Sequence, residues 1–279
     1  MKKILRIGVV GCGAIGTGVS EFIASSLKGK AVLVALADKN SDRAESLKNQ
    51  QKLSVQIVDI DQMVEISDLI IEAASQTAAC EVLKKAIEKG KDVVILSVGA
   101  LIKNMQFISL AEKRGVTIYV PSGAICGIDG ISSLSINDQP KVTITTSKPI
   151  QGLIGAEYFK RQGIDISAIK EPTIVFKGGV KEAIENFPKN INVAATLLLA
   201  TTVGLSNYDL KNNTNIEVCI KADPSLKRNV HSITVEAENA RLSIVVENVP
   251  SRQNPKTSAL TILSIQNLLK RMFSSLKVG

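Results

Sequence analysis

The chain of 279 residues carries one histidine, His231, and no tryptophan. Aromatic residues make up only 3% of it, too few to supply the stacking platforms that single-stranded nucleic-acid binding needs beside its basic groups. A nucleic-acid partner is therefore not expected, although Lys+Arg outnumber Asp+Glu by 34 to 26. The excess lysine is spread out, as in Leu83 to Asp92 (LKKAIEKGKD). It reads as a solvated surface, or as a diffuse positive field favouring small anions. Cysteine is limited to Cys12, Cys80, Cys126 and Cys219, with no C-x-x-C pair and no metal-ligand spacing to the histidine. This argues against a metal site and for reduced thiols in a cytoplasmic protein. Long apolar runs are missing as well. Val193 to Leu205 (VAATLLLATTVGL) is too short to span a bilayer, which takes about 20 residues. The opening MKKILRIGVV imitates a signal peptide but runs straight into a glycine turn without a small-residue cleavage site. A soluble protein with no membrane association is expected.

What is present is a 45% apolar fraction, ample for a core, over a length suited to two domains at about 100–200 residues each. Ile4 to Val10 is a near-continuous aliphatic run, as expected of a parallel strand covered on both faces. It ends in GCGAIG, where Gly11, Gly13 and Gly16 fit G-x-G-x-x-G, and a helical spacing of apolar residues follows from Ala14 to Leu27. Gly11 permits the tight turn, Gly13 lets backbone approach a pyrophosphate, and Gly16 lets helix pack on strand. The helix start presents free amides and a partial positive charge to phosphates. Gly11, Gly13, Ala14, Ile15 and Gly16 are thus candidate cofactor-binding residues. The next strand, AVLVALAD, ends at Asp38, placed to accept hydrogen bonds from ribose hydroxyls. An acid here opposes a 2′-phosphate and favours NAD. Lys39 beside it keeps NADP open.

The alternation continues through strands at Ser54 to Val58, Asp68 to Ala74, Asp92 to Ala100 and Val116 to Val120, with helices such as Thr77 to Glu88 and Ile102 to Lys113 between them. Such repetition predicts an α/β fold with a doubly wound parallel (Rossmann) sheet. Its ligands should sit at the carboxyl ends of the strands. There the small-residue loops EAAS (Glu72 to Ser75, with Ala74) and SVGAL (Ser97 to Leu101) suit a nicotinamide, or are ordinary turns.

After Val120 the pattern changes. PSGAICGIDGISSL (Pro121 to Leu134) offers a close-approach loop at Ser122, Gly123, Ala124 and Gly127 that feeds a helix, or a plain crossover. Strand-like stretches follow at Lys141 to Lys148, Thr173 to Gly178, Asn215 to Asp223, Val230 to Glu238 and Arg241 to Asn248. The last three succeed one another closely and are expected to pair antiparallel. Asn190 and Asn192 sit near a helix start at Phe187 to Leu205, able to cap it or to face a ligand. The chain closes in a helix with an apolar stripe from Leu260 to Leu276. The expected layout is a dinucleotide domain over 1–120 joined by a C-terminal helix (256–279), and a second, smaller α+β domain over 121–255 for substrate and dimerisation. His231 is the only side chain that titrates unaided near neutrality. It is either structural or the acid-base group.

The segments GCGAIG, SVGAL, PSGAICGIDG, FPKNINVAATL, ADPSLKRNVH and ENVPSRQNPKTSALT resemble, in this order and across nearly the whole chain, those of L-aspartate dehydrogenases. The resemblance implies a homodimer that oxidises a small dicarboxylate amino acid, L-aspartate, with NAD or NADP. The product would be iminoaspartate, which hydrolyses to oxaloacetate and ammonia or feeds quinolinate synthesis towards NAD. By position, His231 matches the family's active-site histidine, and Ala124 and Asn192 match its cofactor contacts. Ser206 to Asn215 (SNYDLKNNTN) is longer than the family pattern. Lys148, Lys189, Lys256 and Arg228 are candidates for the substrate carboxylates by nearness to the motifs. Two rivals share the layout: a reductase of the dihydrodipicolinate or homoserine-dehydrogenase kind, and a nicotinamide-binding sensor without turnover.

Overall fold

The computed structural model describes residues 3–136, 139–187, 192–202, 215–251, 254 and 257–278. The chain forms two compact units, Met1–Pro121 with Thr261–Gly279, and Ser122–Leu260.

In the first unit, strands β1 (Leu5–Val10), β2 (Ala31–Ala37), β3 (Gln56–Ile57), β4 (Leu69–Glu72), β5 (Asp92–Ile95) and β6 (Ile118–Tyr119) alternate with helices. These are α1 (Ala14–Ser26), α2 (Ser41–Gln50), α3 (Ile60–Ile66), α4 (Gln76–Glu88), α5 (Gly99–Lys103) and α6 (Gln106–Arg114). The six strands are all parallel, in the order β3-β2-β1-β4-β5-β6. The order reverses beside β1, which creates the crevice where such sheets take ligands. Apart from Glu72 ending β4 and Asp92 opening β5, both strands read as apolar runs because helices cover both faces. Ile70, Ile71, Val93, Val94 and Ile95 are wholly buried, each large aliphatic contributing about 1.5–3 kcal/mol. β5 is shorter than the Asp92 to Ala100 run suggested. It stops at Ile95, and Gly99 opens α5; a buried helical turn carries the same apolar residues as a buried strand. The last helix, α11 (Ala259–Met272), places Ile265 and Leu269 in this unit's core beside Ile7, Val9, Val19 and Ile23. Gly18 lets it lie close, because a Cβ there would press on Ile262.

The second unit holds α7 (Ile128–Leu134), β7 (Lys141–Lys148), α8 (Glu157–Gln162), β8 (Thr173–Gly179), α9 (Val180–Asn186), α10 (Asn192–Thr202), β9 (Ile216–Ala222), β10 (Val230–Glu236) and β11 (Arg241–Glu247). Its sheet is mixed, in the order β11-β10-β7-β9-β8. Here the expected antiparallel trio is corrected. β10 does pair antiparallel with β11, through a tight turn in which the Ala237 amide donates to the Ala240 carbonyl. β9, however, lies parallel to β7 and antiparallel to β8, and β7 separates it from β10. Proximity in sequence favoured a hairpin, but the seven-residue link from β9 to β10 is long enough to cross β7. One face of the sheet, carrying Val142, Ile144, Ile233 and Val235, is buried. The other bears Thr143, Thr145, Ser232 and Ser243 and is partly open, with Val245 and Ile174 more than half exposed.

Candidate active site

At the carboxyl end of β1 the chain turns at Gly11, whose φ is +98° and whose added Cβ would meet the Ala73 carbonyl. A Cβ on Gly16 would overlap the Gly11 carbonyl oxygen, so helix and turn touch backbone to backbone. Gly13 differs from both. It N-caps α1 with an ordinary extended conformation and no side-chain cap, and a Cβ there would meet nothing within 4 Å. Ala14 and Ile15, half-buried, begin the helix. No side chain thus caps the first turn of α1, which leaves its start suited to an anion. Asp38 directly follows the next strand, β2. Its Oδ2 accepts the Cys12 amide at 2.8 Å and its Oδ1 accepts the Asn40 amide at 3.0 Å. The carboxylate is fixed against the glycine turn with lone pairs left for ribose hydroxyls. Burial, then the Asp38 charge, push the Cys12 thiol up to about 12. The residues present fit a dinucleotide.

This geometry separates folding from binding. Gly13→Ala should fold with an unchanged melting temperature while dinucleotide affinity falls about tenfold or more, measured by calorimetry. A Cβ there has room in the protein but none beside a pyrophosphate. Gly16→Ala, by contrast, should lower the melting temperature.

Next along the sheet lie Ala74 and Ser75, both exposed, after β4, and Ser97, half-buried, after β5. The Ser75 hydroxyl caps α4 by accepting the Ala78 amide at 3.3 Å. The Ser97 hydroxyl is turned to Glu72, the last residue of β4, which is wholly buried. The sequence places Glu72 in the loop EAAS but assigns it no role of its own. The available signal was an acid closing an otherwise apolar parallel strand, LIIE.

In the second unit, Gly123 and Gly127 both take positive φ, of 65° and 73°, and Gly127 caps α7. Ala124 lies in the loop between them, its carbonyl accepting the Asn248 side-chain amide at 3.0 Å. Asn248 is buried and also receives the Ser258 hydroxyl. Asn192 is the first residue of α10 and is exposed. Lys189, Asn190, Lys256 and nearly all of Ser206 to Asn215 lie outside the described residues.

His231 stands on β10 directly across from Thr146 of β7, and its Nδ1 lies 3.0 Å from the Thr146 hydroxyl. Lys148 lies two residues further along β7, on the same sheet face. All three are less than a tenth exposed, at 5%, 6% and 7%. A face that begins with Val142 and Ile144 therefore ends in a hydroxyl, an imidazole and an ammonium. Burial pulls Lys148 down to about 8. Burial, and then the Lys148 charge, pull His231 down to about 4. The imidazole is neutral near pH 7, with an amine beside it that is much easier to deprotonate than an ordinary lysine. Arg228, the remaining candidate, is half-exposed and 3.9 Å from Glu247. Among the described residues no cluster of His, Cys, Asp or Glu could hold a metal, and no helix is long and apolar enough to cross a membrane.

A doubly wound parallel sheet with a glycine-looped helix that no side chain caps, and an acid just after its second strand, defines a dinucleotide-binding protein, and the comparisons agree. Residues 11–121 match a family model described as the NAD-binding domain of homoserine dehydrogenase, and residues 129–272 match one described as the aspartate dehydrogenase C-terminal region. The protein is an NAD(P)-dependent oxidoreductase. L-aspartate dehydrogenases of Methanosarcina barkeri and Methanococcus maripaludis are 40% and 42% identical to it, each over 99% of this chain and 100% of the relative. The crystal structure of aspartate dehydrogenase from Thermotoga maritima superposes with a TM-score of 0.73 at 26% identity, covering 99% of this chain and 100% of that one. The chain belongs to the L-aspartate dehydrogenase family. A homoserine dehydrogenase from Thiobacillus denitrificans shares the fold alone, with a TM-score of 0.60 at 13% identity, over 99% of this chain and 76% of that one.

Proposed function

We propose that this protein oxidises L-aspartate to iminoaspartate, with His231 as its proton-transfer group and NAD as its preferred cofactor. The observation that carries this reading is the buried trio His231, Thr146 and Lys148, in the unit that matches the aspartate dehydrogenase model. Gly11, Gly13, Ala14, Ile15 and Gly16 would hold the pyrophosphate, Asp38 the ribose, and Ala74, Ser75, Ser97, Ala124 and Asn192 the rest of the cofactor. A bound nicotinamide would supply the acceptor for the hydride that leaves the substrate Cα. Loss of hydride requires a neutral amine, because an ammonium nitrogen has no lone pair to support the forming C=N bond. His231, neutral near pH 7, can accept that proton or pass protons to and from water as the imine hydrolyses to oxaloacetate and ammonia. Lys148 supplies the positive charge a dicarboxylate needs. A carboxylate placed beside Lys148 offsets the ammonium that depresses His231, and so raises the imidazole's basicity once substrate is bound.

The same reading makes the protein a cytoplasmic homodimer whose imine can also feed quinolinate and NAD synthesis. Its support is the partly open sheet face with exposed Val245 and Ile174, and four free thiols. Reduced-nicotinamide absorbance on adding L-aspartate and NAD tests the activity. Turnover of homoserine but not aspartate would overturn it, as would tight NADH binding without turnover of any amino acid. For the cofactor, Asp38→Ala should erode the preference for NAD over NADP by about tenfold. An unchanged ratio of kcat/KM values would move ribose recognition elsewhere.

A further inference from the structure

Glu72 is wholly buried at the carboxyl end of β4, and its carboxylate ties together the two loops that follow β4 and β5. Oε1 accepts the Ala74 amide at 2.8 Å and the Ser97 hydroxyl at 2.9 Å, and Oε2 accepts the Ser97 amide at 3.0 Å. Both amides are fixed donors, so the carboxyl group is held as an acceptor on each oxygen, which is what an ionised carboxylate offers. Among the described residues no lysine or arginine forms an ion pair with it. A buried charge without a counter-ion is costly, and proteins keep one mainly where a partner arrives or a function uses it.

The loops it ties carry Ala74, Ser75 and Ser97. Resting on the reading that these residues line the nicotinamide end of the cofactor site, we propose that Glu72 supplies a fixed negative charge behind those loops that favours the oxidised, cationic nicotinamide over the neutral reduced ring. The oxidised cofactor then enters against a waiting counter-charge, and the reduced form leaves more readily. Burial, the largest influence, holds the Glu72 pKa above the ordinary carboxylate value, and the bonds from Ser97 and Ala74 reduce that rise without cancelling it. A cation at the loops would act in the same direction as those bonds. Glutamine at this position has nearly the same size but carries no charge, and its amide would set a donor against one of the backbone N–H groups.

The test is calorimetric binding of three ligands to the intact protein: NAD, an analogue with neutral benzamide in place of the nicotinamide ring, and ADP-ribose, which lacks the ring. The wild type should bind NAD about tenfold more tightly than the benzamide analogue. Glu72→Gln should bring the two within about twofold of each other and leave ADP-ribose affinity unchanged. An unaltered gap would overturn the proposal, and so would equal weakening of all three ligands, which marks Glu72 as a purely structural tie. Should E72Q not fold, the wild type alone decides, because equal affinity for NAD and its benzamide analogue is incompatible with a charge at this place. ADP-ribose binding by the wild type tests the dinucleotide site independently, so a failed charge role is distinguishable from a failed cofactor assignment.

Discussion

Replacing His231 by asparagine should lower turnover of L-aspartate by about 10²-fold or more, with NAD affinity nearly unchanged. Asparagine keeps a polar atom near Nδ1 for the Thr146 hydroxyl, so the sheet should survive, and the loss would report the missing proton acceptor. Steady-state kinetics beside calorimetric NAD binding check it, and unchanged turnover would return His231 to a structural role. The same substitution has a signature in acid. The folded imidazole titrates at about 4, below the roughly 6.5 of an unfolded chain. As pH falls through that window the unfolded chain takes up its proton first, so stability falls by about 3 kcal/mol between the two values and is unaffected by this group above them. The wild type should lose that stability on acidification, and His231→Asn should lack this part of the loss.

Lys148→Met should raise KM for aspartate by about 10²-fold, with a smaller effect on kcat and none on NAD affinity. Methionine fills a similar volume without the charge, so the cation a carboxylate would meet is removed while packing is kept. Two further measurements separate this from a packing defect. Loss of the ammonium should raise the His231 pKa, although burial, the larger cause, keeps it below its ordinary value. A chain with a single histidine makes that titration a one-signal experiment by NMR. The melting temperature should also rise. Holding the ammonium in a site that pulls it down to about 8 costs about 3 kcal/mol near neutrality. A lower melting temperature with KM unaltered would assign Lys148 to the fold and not to the substrate.

Much of the first unit was legible because its signals are local. A strand covered on both faces must be apolar throughout. A backbone that touches backbone must be glycine, and an acid just after β2 follows directly from the motif. Glu72 fell within a recognised loop but gained no role, because a glutamate ending an apolar strand looks like the start of a solvated loop. Only the neighbouring strand, 25 residues later, brings the Ser97 donors that explain it. Lys148 could be named by nearness to a motif, but nothing in KVTITTSK marks one threonine and one lysine as buried. The alternation Val142, Ile144, Thr146, Lys148 puts all four on one face. Whether that face is wet or covered depends on what the fold packs over it.

Chain order alone thus determined the parallel α/β alternation, the phosphate-binding turn and the lone imidazole, because backbone sterics and side-chain periodicity act over a few residues. Tertiary structure decided the rest. β7 enters between β9 and β10, and so sets Thr146 and Lys148 beside His231 across 85 and 83 residues of sequence. Strand order and burial arise from which surfaces exclude water together, and that choice is made by the whole fold.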